Sequence, residues 1–108
     1  MVIMVENNLG EFMSIQISPK DYEQKMNWDD AIFYCQLLII DGKDDWRLPT
    51  LDELYDIHKS VNDFFVDVHY WSSIPKFNDK AWLLNITTGN PGVYEKSGNI
   101  FVRAVRTI

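Results

Sequence analysis

The stretch at residues 45–54 constrains the fold of this chain more than any other. Pro49 cannot continue a helix, and it pushes Leu48 into an extended conformation. Thr50 and Glu53 form the T-x-x-E pattern of a capping box, whose side chains accept hydrogen bonds from backbone N–H groups at the start of a helix. The stretch therefore predicts a packed corner that ends an extended segment and begins a helix after Thr50.

The spacing of apolar residues predicts two helices. The first follows Asn27, a good N-cap, and ends at residues 41–42, where an Asp-Gly pair suits a helix C-terminus. The second follows Thr50. The predicted apolar stripe of the first helix is Trp28, Ala31, Ile32, Cys35, Leu38 and Ile39, and that of the second is Leu51, Leu54, Tyr55, His58 and Val61.

Strand patterns occupy both ends of the chain. They fall at residues 2–5, 11–18, 70–73, 81–87, 93–95 and 100–108, with turn signals between them and a loop at 74–80. Two helices followed by a strand-rich half, with a hairpin in front, predict an α+β fold in which the first and last strands pair. The 108 residues, of which 46% are apolar, fit one domain over residues 1–108.

The formal net charge of −6 is unevenly distributed. Ten acidic and three basic side chains lie in residues 29–67, whereas residues 68–108 carry two acidic and five basic ones. Such an acidic half repels nucleic acid and anionic membranes, so neither is expected as a direct partner. A solvated helix face explains the acids, and the alternative is a patch of Asp52, Asp56 and Asp63 that binds a basic partner.

The N-terminal residues have no basic segment and only a short apolar run, which predicts neither a signal peptide nor a transmembrane helix. The single cysteine, Cys35, permits no internal disulfide and fits a buried thiol. We therefore expect a cytoplasmic chain. A place in a phage particle, or export with a larger assembly, stays open.

The sequence resembles the DUF1566 family, to which the C-terminal domain of the Legionella collagen-like adhesin belongs. The resemblance rests on N-W-D-D-A at residues 27–31, D-W-R-L-P-T-x-x-E-L at 45–54, Y-W-S-S at 70–73 and V-R-A-V-R at 102–106. It implies a C-type-lectin-like fold, with two helices against a mixed or antiparallel sheet and paired terminal strands. The adhesin relative binds sulfated glycans, and related folds include calcium lectins, phage receptor-binding proteins and formylglycine-generating enzymes.

No pattern in the sequence predicts catalysis. A formylglycine-generating activity needs two cysteines, and Cys35 stands alone. A calcium lectin site needs clustered oxygen ligands, whereas Asn90-Pro91-Gly92 fits a plain turn. The two histidines, His58 and His69, have no metal-site spacing. We therefore expect no enzyme activity, no metal and no cofactor.

Two sets of residues are candidates for particular roles. The loops between the late strands could supply an aromatic and amide surface for a ligand, although Trp71 and Trp82 also fit a core. These ligand candidates are Tyr70, Trp71, Phe77, Asn78, Trp82, Asn90 and Tyr94. The expected structural hub is Trp28, Trp46, Arg47, Pro49, Thr50, Glu53 and Arg103, with Arg47 bridging carboxylates such as Glu53 or, alternatively, binding an anion.

Several functions fit these features. The first is a non-catalytic module that binds a protein through its late-strand loops. The alternatives are a glycan-binding, adhesin or phage receptor-binding module, and an acidic inhibitor, of the kind phages encode, that binds a basic nucleic-acid-binding protein. The sequence leaves the partner and the oligomeric state open.

Overall fold

The computed structural model describes residues 1–7, 9–60 and 68–108. Within these ranges the chain forms two α-helices and eight strands, which confirms the predicted α+β class. In chain order the elements are β1 (Val2–Glu6), β2 (Phe12–Ile17), β3 (Gln24–Met26), α1 (Trp28–Leu37), α2 (Leu51–Ser60), β4 (His69–Phe77), β5 (Lys80–Asn85), β6 (Pro91–Glu95), β7 (Ile100–Val102) and β8 (Val105–Thr107), with a 3-10 turn at Lys20–Tyr22.

The strands form two sheets. One has the order β1-β2-β8 and the other the order β3-β7-β4-β5-β6, with every pair antiparallel except β4 and β7. The terminal strands share the first sheet, but the expectation that they pair directly is wrong, since β2 lies between them. The tight β1–β2 hairpin occupies one edge of β2, and its other edge receives β8.

The five-stranded sheet separates two hydrophobic cores, because neighbouring side chains along a strand point to opposite faces. Tyr70 and Leu84 lie in the first core, with α2 and the inner face of the three-stranded sheet. Trp71 and Leu83 lie in the second core, with α1 and the segment that contains Trp46. Each helix therefore covers a different face of the same sheet.

The first helix is shorter than its apolar pattern predicts. It ends at Leu37, and Ile39 is 69% exposed. The Asp41-Gly42 pair, expected to end the helix, instead forms a two-residue turn with positive φ angles of 52° and 77°. Hydrogen bonds in both directions between Ile40 and Lys43 close that turn. Asp-Gly is a favoured pair for such a turn, so the hairpin uses it and the helix stops earlier.

Two late segments also differ from the prediction. The expected loop at residues 74–80 is largely strand, because β4 runs to Phe77 and register shifts on both sides of Pro75 accommodate the missing N–H group. The expected last strand is split into β7 and β8. The chain crosses between the two sheets at Arg103 and Ala104, which are both buried.

Candidate functional site

The corner at residues 45–54 forms as its sequence predicts. The Glu53 N–H donates to the Thr50 hydroxyl at 3.2 Å, and the Thr50 N–H donates to the Glu53 carboxylate at 2.8 Å, which completes the capping box. Arg47 donates two hydrogen bonds to the same carboxylate, at 2.7 and 2.8 Å. Leu48 and Pro49 are buried. The corner is therefore a closed network of hydrogen bonds at the start of α2.

The Arg47 guanidinium has the Glu53 carboxylate as its main partner. It also contacts the Leu48 carbonyl at 3.4 Å and the Thr107 hydroxyl at 2.9 Å. The hydrogen bonds with Glu53 raise the pKa of Arg47. Burial alone raises the pKa of Glu53, but hydrogen bonds from Arg47 and Thr50 outweigh burial, so this pKa lies below its ordinary value. Both groups stay charged at neutral pH.

The corner is also fastened to the last strand. The backbones of Arg47 and Val105 exchange two hydrogen bonds of 2.8 Å. Arg106 donates to the Asp45 carboxylate at 2.6 and 3.2 Å, and this contact lowers the pKa of Asp45. Trp46 is buried, and its indole N–H donates to the Lys43 carbonyl at 3.1 Å. Arg47 therefore joins the start of α2 to the three-stranded sheet, whereas Trp46 packs in the second core.

Arg103 belongs to an internal ion pair. Its side chain is 1% exposed, its Nε–H donates to the Ser18 carbonyl at 2.8 Å, and its Nη1 lies 3.5 Å from the Glu23 carboxylate. The Tyr70 hydroxyl donates to the same carboxylate at 2.6 Å. Burial lowers the pKa of Arg103, and Glu23 and Tyr70 oppose that effect. This geometry fits the predicted structural role of Arg103.

Two predicted ligand residues, Tyr70 and Trp71, lie in the core. Both have 0% relative exposure, so the prediction that they contact a ligand is wrong. The Trp71 indole donates to the Met26 carbonyl at 3.0 Å, and Trp28 donates to the Ser72 carbonyl at 2.8 Å. These indoles therefore join α1 and the segment preceding it to β4. Tyr70 and Trp71 are adjacent, so one faces each core.

The remaining candidates lie on the outside of the β4–β5–β6 meander but do not form one patch. Phe77 is 59% exposed, and the ammonium of Lys76 lies 5.6 Å from the Phe77 ring and 5.1 Å from the Trp82 ring. We call Lys76, Phe77 and Trp82 the aromatic–lysine cluster. Asn78 follows it in the exposed β4–β5 turn. The cluster is therefore a compact, mixed apolar and cationic surface.

Tyr94 and Asn90 lie apart from this cluster. Tyr94 is 51% exposed and pairs with Ala81, whereas Trp82 pairs with Val93, so Tyr94 and Trp82 point to opposite faces. Asn90 is exposed just before β6, at the end of the β5–β6 hairpin away from the β4–β5 turn. The sequence reasoning missed Lys76, although a lysine beside an exposed aromatic residue is a recognisable cation–π signal.

Two of the three residues of the predicted acidic patch lie in the described ranges. Asp52 is exposed, and Asp56 forms an ion pair of 3.2 Å with Lys59. Both line one cavity of about 450 Å³, beside the corner. Asp63 lies outside the described residues. The structure thus brings Asp52 and Asp56 together at the first turns of α2.

Potential metal ligands and nucleophiles among the described residues are dispersed or buried. In the described ranges, no group of three or more His, Cys, Asp or Glu side chains could hold a metal ion. Cys35 is fully buried, and burial raises the pKa of its thiol to about 12, so it stays protonated at neutral pH. His58 is half-buried and donates through Nδ1 to the Ile86 carbonyl at 2.6 Å.

Across the same described ranges, neither helix combines the length and the apolar character that crossing a membrane requires.

A protein-family model matches most of the chain. The family described as "Lcl C-terminal domain" matches residues 7–106. That range covers the corner, both helices, β2 to β7 and the first two residues of β8. No protein with a curated description matches the chain.

Proposed function

The chain belongs to the Lcl C-terminal domain family, and from that premise we propose that it is a non-catalytic module that binds another protein. The contact surface in this proposal is the aromatic–lysine cluster on the β4–β5 hairpin. The observation that carries the proposal is the exposure of Phe77, 59% of whose surface faces solvent beside the Lys76 ammonium.

The chemistry of the cluster supports a protein partner. Large aromatic side chains provide much of the binding energy in protein interfaces, because each buries a wide apolar area at a small cost in conformational entropy. The neighbouring Lys76 adds a charge that can pair with a carboxylate on the partner. Ile74 and Val93, which are 38% and 37% exposed, widen the apolar surface of the meander.

The position of the cluster supports the same proposal. Phe77 lies on β4 and Trp82 on β5, which pair in the five-stranded sheet. Trp71, also on β4, is anchored in the core. Side chains on such a rigid support lose less freedom on binding than side chains on a loop. At the corner, in contrast, Arg47, Thr50 and Glu53 form hydrogen bonds with one another, which leaves these three side chains less available to a partner.

A titrated pull-down with crosslinking, in lysate of the organism that encodes the chain, tests this function. We expect saturable retention of one protein by the wild type, and at least about tenfold weaker retention by Phe77→Ala, as for a hot-spot residue. Phe33→Ala on α1 is a matched control, because Phe33 is 63% exposed outside the cluster. Failure to retain any saturable partner contradicts the proposal, and so does retention unaffected by Phe77→Ala.

A glycan array separates the proposal from its main alternative. Exposed aromatic rings next to an amide such as Asn78 also suit sugar rings. We expect no saturable glycan binding. A glycan that binds the wild type but not Phe77→Ala would replace the protein partner with a carbohydrate one.

We also propose that the domain is C-type-lectin-like at the level of topology. Support comes from the terminal strands sharing one small sheet and from two helices packed on a second, mixed sheet. A crystal structure whose strand order and helix positions fail to superpose on a C-type lectin domain would contradict this proposal.

A further inference from the structure

A cavity of about 450 Å³ lies beside the corner. Three parts of the chain surround it: the end of β1 with Met13 of β2, the first turns of α2, and Ile74 of β4. Arg47 lies in its wall. The cavity has the volume of a small-ligand or side-chain site.

The cavity wall is largely apolar. Val5 is buried, Met13 and Leu51 pack against the first hydrophobic core, and Ile74 is 38% exposed. These four side chains present methyl and methylene groups to whatever occupies the cavity. Such a wall favours an aliphatic occupant, because filling it removes apolar surface from water.

The charges around this wall are mostly negative. Glu6, Asp52, Glu53 and Asp56 line the cavity, with Arg47 as the one positively charged lining residue. Glu53 and Arg47 compensate each other through their paired hydrogen bonds, and Asp56 contacts Lys59. Among the residues that the structure describes, Glu6 and Asp52 form no ion pair. The uncompensated charge at the cavity is therefore negative.

We propose that this cavity binds the side chain of a lysine or arginine from a protein partner. Such a side chain has an aliphatic stem and a cationic end, which match the apolar wall and the carboxylates of Glu6 and Asp52. An anionic occupant fits poorly, because the Arg47 guanidinium is already held by Glu53, Thr107 and Leu48. The cavity shares Ile74 with the meander surface, but none of Lys76, Phe77 and Trp82 lines it, so its proposed ligand does not depend on the aromatic–lysine cluster.

Titration followed by NMR tests the proposal with small probes. The probes are lysine amide and arginine amide, each acetylated on the α-amino nitrogen so that the side chain keeps its charge. The control is norleucine amide acetylated in the same way, which keeps the aliphatic stem of lysine but lacks its ammonium. We expect saturable shifts of the Leu51, Ile74 and Met13 methyl signals with the two cationic probes. We expect at least about fivefold weaker binding of norleucine amide, and weaker binding of the cations at high salt.

Charge-removing variants test the role of the carboxylates. The double variant Glu6→Gln/Asp52→Asn keeps the shape of the cavity, and we expect about tenfold weaker binding of the lysine probe. Asp44→Asn is the control, since Asp44 is exposed and does not line the cavity. Amide spectra that overlay outside the cavity show that each variant remains folded.

Three outcomes would overturn the proposal. The first is absence of saturable shifts with either cationic probe up to about 100 mM, a range that covers affinities far weaker than millimolar. The second is equal binding of norleucine amide and lysine amide, which would indicate an apolar site alone. The third is an unchanged affinity for lysine amide in the folded double variant.

Discussion

Arg47 donates two parallel hydrogen bonds to the Glu53 carboxylate, from Nη1 to Oε1 at 2.7 Å and from Nη2 to Oε2 at 2.8 Å. The Glu53 side chain is 8% exposed, whereas that of Arg47 is 36% exposed. The same carboxylate caps α2 by accepting from the Thr50 N–H, and the same guanidinium donates to the hydroxyl of Thr107 in β8. This pair therefore couples the start of α2 to the three-stranded sheet.

Loss of Arg47 should destabilise the fold without affecting the proposed contact surface. Arg47→Ala leaves the buried Glu53 carboxylate without its charged partner, which costs about 2–4 kcal/mol of unfolding free energy. Urea denaturation measures this loss. Lys43→Ala is the control, because Lys43 is exposed and its side chain forms no ion pair among the described residues. A folded Arg47→Ala protein of unchanged stability that loses its partner would reverse the assignment.

The lowered pKa of Glu53 predicts a dependence of stability on acid. The folded protein stabilises the ionised form of this carboxylate more than the unfolded chain does. Its contribution to the unfolding free energy is therefore complete above the unfolded pKa of about 4.3. The contribution is lost as the pH falls through the lower folded pKa. Between about pH 5 and pH 3, we expect Glu53→Gln to lose less unfolding free energy than the wild type.

Denaturation curves at several pH values in that window measure the difference. Asp44→Asn should follow the wild type, because Asp44 is exposed. Parallel wild-type and Glu53→Gln profiles would show that the Arg47 pair does not control the acid response.

Two glycines should respond differently to the same substitution. Gly42 and Gly89 both have positive φ angles, of 77° and 79°. A Cβ at Gly42 meets no atom within 4 Å, so Gly42→Ala costs only the left-handed strain, about 1–2 kcal/mol. A Cβ at Gly89 lies 2.7 Å from the His58 ring. Gly89→Ala must therefore displace His58 as well, and we expect a loss of about 3 kcal/mol or more.

A double-mutant cycle separates the strain at Gly89 from this clash. In a His58→Ala background, the cost of Gly89→Ala should fall toward that of Gly42→Ala, since the His58 ring is gone and the remaining close neighbour is the Tyr55 ring at 3.3 Å. Thermal melts of the four proteins give the coupling free energy. An equal cost of Gly89→Ala in both backgrounds would contradict the contact with His58.

The sequence predicts local chemistry better than it predicts the outward-facing surface. The capping box and the Arg47–Glu53 contact follow from short-range spacing, so residues 47–53 contain the information for both. The burial of Tyr70 and Trp71 does not follow from such spacing. Only tertiary packing decides that α1 and α2 cover opposite faces of β4. The Asp41-Gly42 turn shows the same limit, since one dipeptide suits both a helix end and a hairpin.

The most direct measurement of the central claim is site-specific photocrosslinking from position 77. Benzoylphenylalanine replaces Phe77 in one protein and Phe33 in the control, and both are expressed in the organism that encodes the chain. We expect one discrete crosslinked protein from position 77 only. Co-expressed wild type, which lacks benzoylphenylalanine, should compete with this crosslink, and co-expressed Phe77→Ala should compete much less. Crosslinking of the same protein from both positions, or no competable product from position 77, would contradict the central claim.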